Sequence, residues 1–193
     1  MNSSASPTRG RSKPMTRRSA ALGSAAFFGL APGVVAGLVP WLLTHWRIQH
    51  QYWLPLRIAG AALLGAGVVA LASAFVRFVI DGIGTPAPVA PTRILVVNGP
   101  YRYVRNPMYL AVLATIVGQG AVLGQPSLFA YAGAVGLAVG AFVLGYEEPT
   151  LHERFGAQYD AYRHAVPRWR PRSRPWSPDT SVPLSPPTQE ADP

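Results

Sequence analysis

The chain has 193 residues, 49% of them hydrophobic and only 13% charged, with 17 basic residues against 8 acidic ones and no cysteine. A soluble domain carries about 25% charge, so the apolar residues here must be gathered into long segments. The missing cysteine excludes disulfide scaffolds, cysteine metal clusters, thiol catalysis and S-palmitoylation, while the net charge of +9 calls for an anionic partner, either a membrane surface or nucleic acid.

Residues 1–19 are rich in Ser, Thr, Pro and Arg and carry too little apolar surface to fold, which predicts a disordered basic tail. The uncharged run Ala20–Leu43 follows. A second run spans Ile58–Val76, a third Met108–Gly124 and a fourth Ser127–Tyr146. Each falls in the range of about 17 to 25 residues that crosses a bilayer as a helix. Four such runs in a chain this short leave nothing to cover them in water. The expected fold is therefore an all-α integral membrane domain over 20–171, with spans at about 20–43, 56–80, 107–124 and 127–146. Pro32 and Pro40 predict kinks in the first span. Ala62, Ala66, Ala70 and Ala74 on the second span, and Ala132, Gly136 and Gly140 on the fourth, form small-residue ladders that predict close helix packing.

Fifteen of the 17 basic residues fall on the side of the two termini when the spans number four. The positive-inside rule makes that side cytoplasmic in a cell inner (plasma) membrane, with several passes. Charge is then explained by topology and contact with membrane lipid, and with no nucleic-acid-binding module in the chain, no nucleic-acid partner is expected. Thr16-Arg17-Arg18 also reads as a twin-arginine export signal, but the apolar run is long for one and lacks a clear small-residue cleavage site. Residues 172–193 are Pro-rich and predict a second disordered tail.

Two segments at the cytoplasmic surface carry the chemistry. Between Arg93 and Leu110, Asn98-Gly99-Pro100 marks a turn, and Tyr101, Tyr103 and Tyr109 interleave with Arg102 and Arg105. Pro107 suits the first turn of the third span, with Asn106 as its cap. A capped helix start flanked by arginines suits a carboxylate or phosphate. An ordinary interfacial belt of Tyr anchors and Arg side chains fits the same residues.

The second segment begins at the adjacent pair Glu147-Glu148, which can face a cationic ligand or merely flank the span. After it, Leu151, Phe155, Tyr159, Tyr162 and Val166 form one apolar stripe, which predicts an amphipathic helix over about 149–165. His152 and His164 are candidate bases. No histidine has a neighbouring ligand set, so no metal site is expected.

Taken together, these residues resemble the isoprenylcysteine carboxyl methyltransferase and phospholipid N-methyltransferase superfamily of small membrane enzymes. The resemblance rests on Leu95-Val96-Val97, Gly99-Pro100-Tyr101, the run Arg105-Asn106-Pro107-Met108-Tyr109, and Glu147-Glu148 followed by Leu151, Phe155-Gly156, Tyr159, Tyr162 and Val166-Pro167. Gly84 to Pro88 looks like the lead-in of bacterial members, and the likeness spans about Leu56 to Pro171.

The resemblance implies an S-adenosyl-L-methionine-dependent methyltransferase acting on a lipophilic small molecule or lipid. The cofactor contacts it implies are Arg93, Ile94, Leu95, Val96, Tyr101, Asn106, Pro107, Met108, Tyr109 and Glu147, with Tyr109, Glu147 and Asn106 as positioning groups. Two positions depart from the pattern. Asn106 stands where many members have histidine, and Val143 stands where prenylcysteine enzymes have a substrate-side arginine. The alternatives are a membrane NADPH-dependent reductase of steroid-reductase-like layout and a non-catalytic membrane scaffold. Neither the acceptor nor the oligomeric state is legible in the residues.

Overall fold

A computed structural model describes residues 31–82 and 95–177, in which every regular element is helical. Helix α1 runs Ala31–Thr44, α2 Leu54–Gly82, α3 Pro107–Leu123, α4 Pro126–Phe155 and α5 Ala157–Ala165, with a short 3₁₀ turn at Gly99–Arg102. Among the described residues, the stretch Leu54–Ala74 and helix α4 are long and apolar enough to cross a membrane, while α1 and α3 are shorter apolar helices. The expected tail 1–19, the start of the first span, the lead-in Gly84–Pro88, the residues Arg93 and Ile94 and the end of the chain from 178 onward lie outside the described residues.

The tightest packing joins α2 to α3, and glycine makes it possible. A Cβ on Gly118 would lie 2.7 Å from the Leu64 amide nitrogen and 2.8 Å from the Gly60 carbonyl oxygen. One on Gly67 would lie 2.7 Å from the Thr115 hydroxyl. The stripe that faces α3 is therefore Gly60, Gly67 and Ala74, spaced by sevens, and not the expected ladder. Ala62 and Ala66 are exposed, because a strict four-residue spacing drifts around a helix of 3.6 residues per turn. On α4, Ala132 is buried and Gly136 faces Leu113, but Gly140 meets only open space.

Helix α1 contains a π-helical turn at Val34–Leu38, next to Pro40, and the turn changes which carbonyls are paired. The amide of Val39 reaches back to the Val34 carbonyl, which leaves the Val35 carbonyl without its usual donor. Pro40 has no N–H, so the Ala36 carbonyl is left over as well. Two side chains from neighbouring helices fill the gap. The Tyr131 hydroxyl donates to the Val35 carbonyl at 2.9 Å, and the Gln119 amide donates to the Ala36 carbonyl at 2.7 Å. Around this point Ala36, Val112, Ile116, Leu128 and Ala132 form a buried apolar cluster.

At this end of the bundle α3 stops at Gly124, whose φ of 64° belongs to the left-handed region. The loop after α1 crosses directly over it. The Gln49 amide donates to the Leu123 carbonyl at 3.0 Å, and the Gln125 side-chain amide donates to the Arg47 carbonyl at 2.8 Å.

At the opposite end, α4 continues two turns past its apolar stretch and stops at Gly156, at φ 50° and ψ −126°, a backbone state that suits glycine. The single helix expected over 149–165 is thus two helices, the end of α4 and α5. The expected stripe still works, because the bend carries both pieces over one cluster. Leu95, Val97, Phe155, Tyr159, Tyr162 and Val166 are buried together there, with Leu151 packed against them. Across the bend His152 lies 3.1 Å from Asp160.

Residues 166–177 then fold back as an extended strap. The Arg105 amide donates to the Pro167 carbonyl at 3.0 Å, the Arg172 amide to the Tyr103 carbonyl at 3.0 Å and the Trp176 amide to the Arg102 carbonyl at 3.0 Å. The Trp176 ring lies 5.5 Å from that of Tyr162. The boundary expected at 172 therefore falls too early, since hydrogen bonds and an aromatic anchor hold the chain to 177.

Candidate active site

A second π-helical turn, Val143–Glu147, lies where α4 leaves its apolar stretch, and such turns often mark functional positions. Successive helical residues point about 100° apart, so the two adjacent glutamates face different neighbours. Glu147 turns toward α3, where its Oε2 accepts a hydrogen bond from the Tyr109 hydroxyl at 3.0 Å. Glu148 turns toward the strap and the loop before α3. Its Oε1 accepts from Arg105 Nη1 and from Arg168 Nε, each at 2.7 Å, and its Oε2 accepts from Arg168 Nη2 at 2.7 Å.

The contrast decides the roles. Glu148 is buried and neutralised by two guanidinium groups, and Arg105 Nη1 also donates to the Tyr159 hydroxyl at 3.1 Å. The unit locks the end of α4 to the loop and the strap. Glu147 is half-buried, and among the described residues no cationic side chain pairs with it. A half-buried carboxylate held only by a phenol is suited to a cationic ligand.

Beside this pair, Val96 and Tyr101 are buried against Ala74, with Met108 packed on them. The Tyr101 hydroxyl donates to Met108 Sδ at 2.8 Å, and the Tyr162 hydroxyl donates to the Tyr101 carbonyl at 2.7 Å. Burial pushes both tyrosine hydroxyls up from their ordinary value near 10.0, so both rings are neutral apolar walls with polar rims.

Of the residues implied as cofactor contacts, Val96, Tyr101, Met108, Tyr109 and Glu147 thus come together. Pro107 is buried as the first residue of α3. Leu95 turns the other way, into the cluster beneath α5. Arg93 and Ile94 lie outside the described residues. Asn106 sits at the cap position of α3, but its side chain makes no capping bond there. At φ −119° and ψ 57° it is buried, and its amide donates to the Arg168 carbonyl at 3.3 Å. The expected cap is a tie to the strap instead, because the strap carbonyl lies within reach. His152 and His164 are exposed, and His152 pairs with Asp160 across the bend. Arg168 escaped the sequence reading, although a doubled glutamate at a helix end needs a cation and the densest run of arginines follows it.

The phospholipid methyltransferase family profile matches residues 56–158, more than half of the chain. No curated protein and no solved structure matches the chain. The match begins in α2, covers the Tyr101–Tyr109 segment and both glutamates, and ends inside α5, so it contains Val96, Tyr101, Met108, Tyr109 and Glu147. With its long apolar helices, a helical site at their ends and this match, the chain belongs to the phospholipid methyltransferase family of membrane proteins.

Proposed function

We propose that the protein is a multi-pass membrane methyltransferase that uses S-adenosyl-L-methionine to methylate a lipophilic small molecule or lipid, with α1 to α4 as four spans and the site facing the cytoplasm. The observation that carries this reading is the Tyr109–Glu147 pair, a half-buried carboxylate without a protein cation, beside the apolar wall of Val96, Tyr101 and Met108. The donor set fits the cofactor's chemistry. Glu147 suits its ammonium group or a ribose hydroxyl, the aromatic wall suits adenine, and the first turn of α3 after Asn106 suits its carboxylate.

When bound, S-adenosyl-L-methionine supplies an electrophilic methyl group on a sulfonium. In-line displacement needs orientation more than proton transfer. Tyr109 fixes the carboxylate rotamer of Glu147, and the Glu148–Arg105–Arg168 unit holds the segment that carries Asn106 to Tyr109 against α4. Val143, in place of a substrate-side arginine, favours an acceptor held by apolar contact over a free carboxylate. Family membership supports the methyltransferase reading over the NADPH-dependent reductase and the non-catalytic scaffold.

Calorimetry on the detergent-purified protein tests this. Saturable binding of S-adenosyl-L-methionine but not NADPH is expected. Glu147→Gln should weaken it by about 1.5–3 kcal/mol, roughly 10- to 150-fold, the usual range for a hydrogen bond to a charged group. Tyr109→Phe should weaken it by less, because the carboxylate remains. Binding of NADPH alone, or unchanged affinity in both folded variants, overturns the assignment.

A further inference from the structure

The strap and the outer face of α5 carry a concentration of positive charge that the active site does not use. Arg163, His164, Arg168, Arg170, Arg172 and Arg174 follow one another with no acidic residue between Asp160 and Asp179. Two of these arginines are spent inside the fold, Arg168 on Glu148 and Arg172 Nη1 on the Ala165 carbonyl at 2.8 Å. Arg163, Arg170 and Arg174 are exposed, and among the described residues none of them pairs with a carboxylate.

With α3 read as a membrane span, the strap falls at the level of the bilayer's headgroup layer. It is hydrogen-bonded to residues 102, 103, 105 and 106, all within five residues of Pro107, where the apolar helix α3 begins. A headgroup layer is about 5–7 Å thick on each side of the hydrocarbon. Trp169 and Trp176, both half-buried, flank Arg170 and Arg174, and Trp is a residue of that layer.

We propose that this strap is a docking surface for anionic lipid headgroups, and that such lipid holds it closed over the Arg102–Asn106 segment; the proposal rests on the reading of α1 to α4 as membrane spans. Lipid that binds only the closed strap stabilises it by linkage. The observations favour lipid over a soluble polyanion, because the apolar helices place the strap beside lipid permanently.

The test is hydrogen exchange of the 168–177 peptide in the full chain, reconstituted in nanodiscs of phosphatidylcholine alone or with 30% phosphatidylglycerol. It reads neither cofactor binding nor turnover, so its failure is distinct from failure of the methyltransferase reading. Each basic group near an anionic surface contributes on the order of a fivefold effect, so exchange should slow tenfold or more with the anionic lipid. The triple variant R163Q/R170Q/R174Q should exchange like the parent in phosphatidylcholine and show no slowing with phosphatidylglycerol. Equal exchange of the parent in both lipids overturns the proposal. So does slowing that survives in the triple variant, or slowing by heparin in neutral discs when anionic lipid produces none.

Discussion

The two orphaned carbonyls of α1 give a stringent test of the fold. Gln119→Leu removes the donor that reaches the Ala36 carbonyl at 2.7 Å, and Pro40 offers no amide to replace it. A buried acceptor left unsatisfied costs about 1–3 kcal/mol. Measured hydrogen bonds between membrane helices average about 0.6 and reach about 1.7 kcal/mol, because the separated helices find other partners. Here the competing donor is absent by covalent structure, so the upper part of that range applies, about 1–1.7 kcal/mol. For a chain of this size each kcal/mol shifts Tm by about 2–4 °C, and thermal unfolding in detergent should fall by roughly 2–7 °C.

The decisive comparison is Pro40→Ala. Alanine restores an amide that can donate to the Ala36 carbonyl in the ordinary helical pattern, so Gln119→Leu should cost under about 0.5 kcal/mol in that background. The double-mutant cycle cancels whatever packing Pro40 itself supplies. An equal Tm loss from Gln119→Leu with and without Pro40 would falsify this account of the Ala36 carbonyl.

Other outcomes follow from the same structure. Glu148→Gln leaves Arg105 without its counter-charge, a loss of about 3–5 kcal/mol for a broken buried pair, read as a lower Tm and faster exchange in the strap. An unchanged Tm would show that the arginines are solvated. Gly124→Ala should abolish recovery of folded protein in size-exclusion chromatography, since its Cβ would overlap the His50 carbonyl and φ is 64°. A monodisperse peak would contradict that contact.

Tyr101, Tyr159 and Tyr162 are held above their ordinary value of 10.0 by burial. Their raised values favour the folded state fully below pH 10, and that contribution is lost as pH rises above it. Each costs about 1.4 kcal/mol per pH unit there, so Tm should fall steeply above pH 10 and less so in Tyr162→Phe. A flat Tm from pH 9 to 11 would refute their burial.

The helices were legible because their causes are local. Uncharged runs fix where α2, α3 and α4 lie, Pro107 sets the start of α3, and the spacing of Phe155, Tyr159, Tyr162 and Val166 marks the buried face of the cap. Motif residues also marked the candidate site, since Tyr101, Met108, Tyr109 and Glu147 sit in one segment and one helix end. The choice of Gly60 and Gly67 over the alanine ladder was not legible, because only the angle between α2 and α3 decides which stripe meets the partner. Nor was the division of labour between Glu147 and Glu148. They are chemically identical neighbours, and a π-turn with Arg105 and Arg168 brought from 43 and 20 residues away makes one a structural anchor and leaves the other held by the Tyr109 hydroxyl. Sequence alone thus determined an apolar helical chain with a polar site at its ends. Tertiary structure decided which carboxylate is spent on ion pairs and which is held by a phenol alone, because that depends on partners distant in the chain.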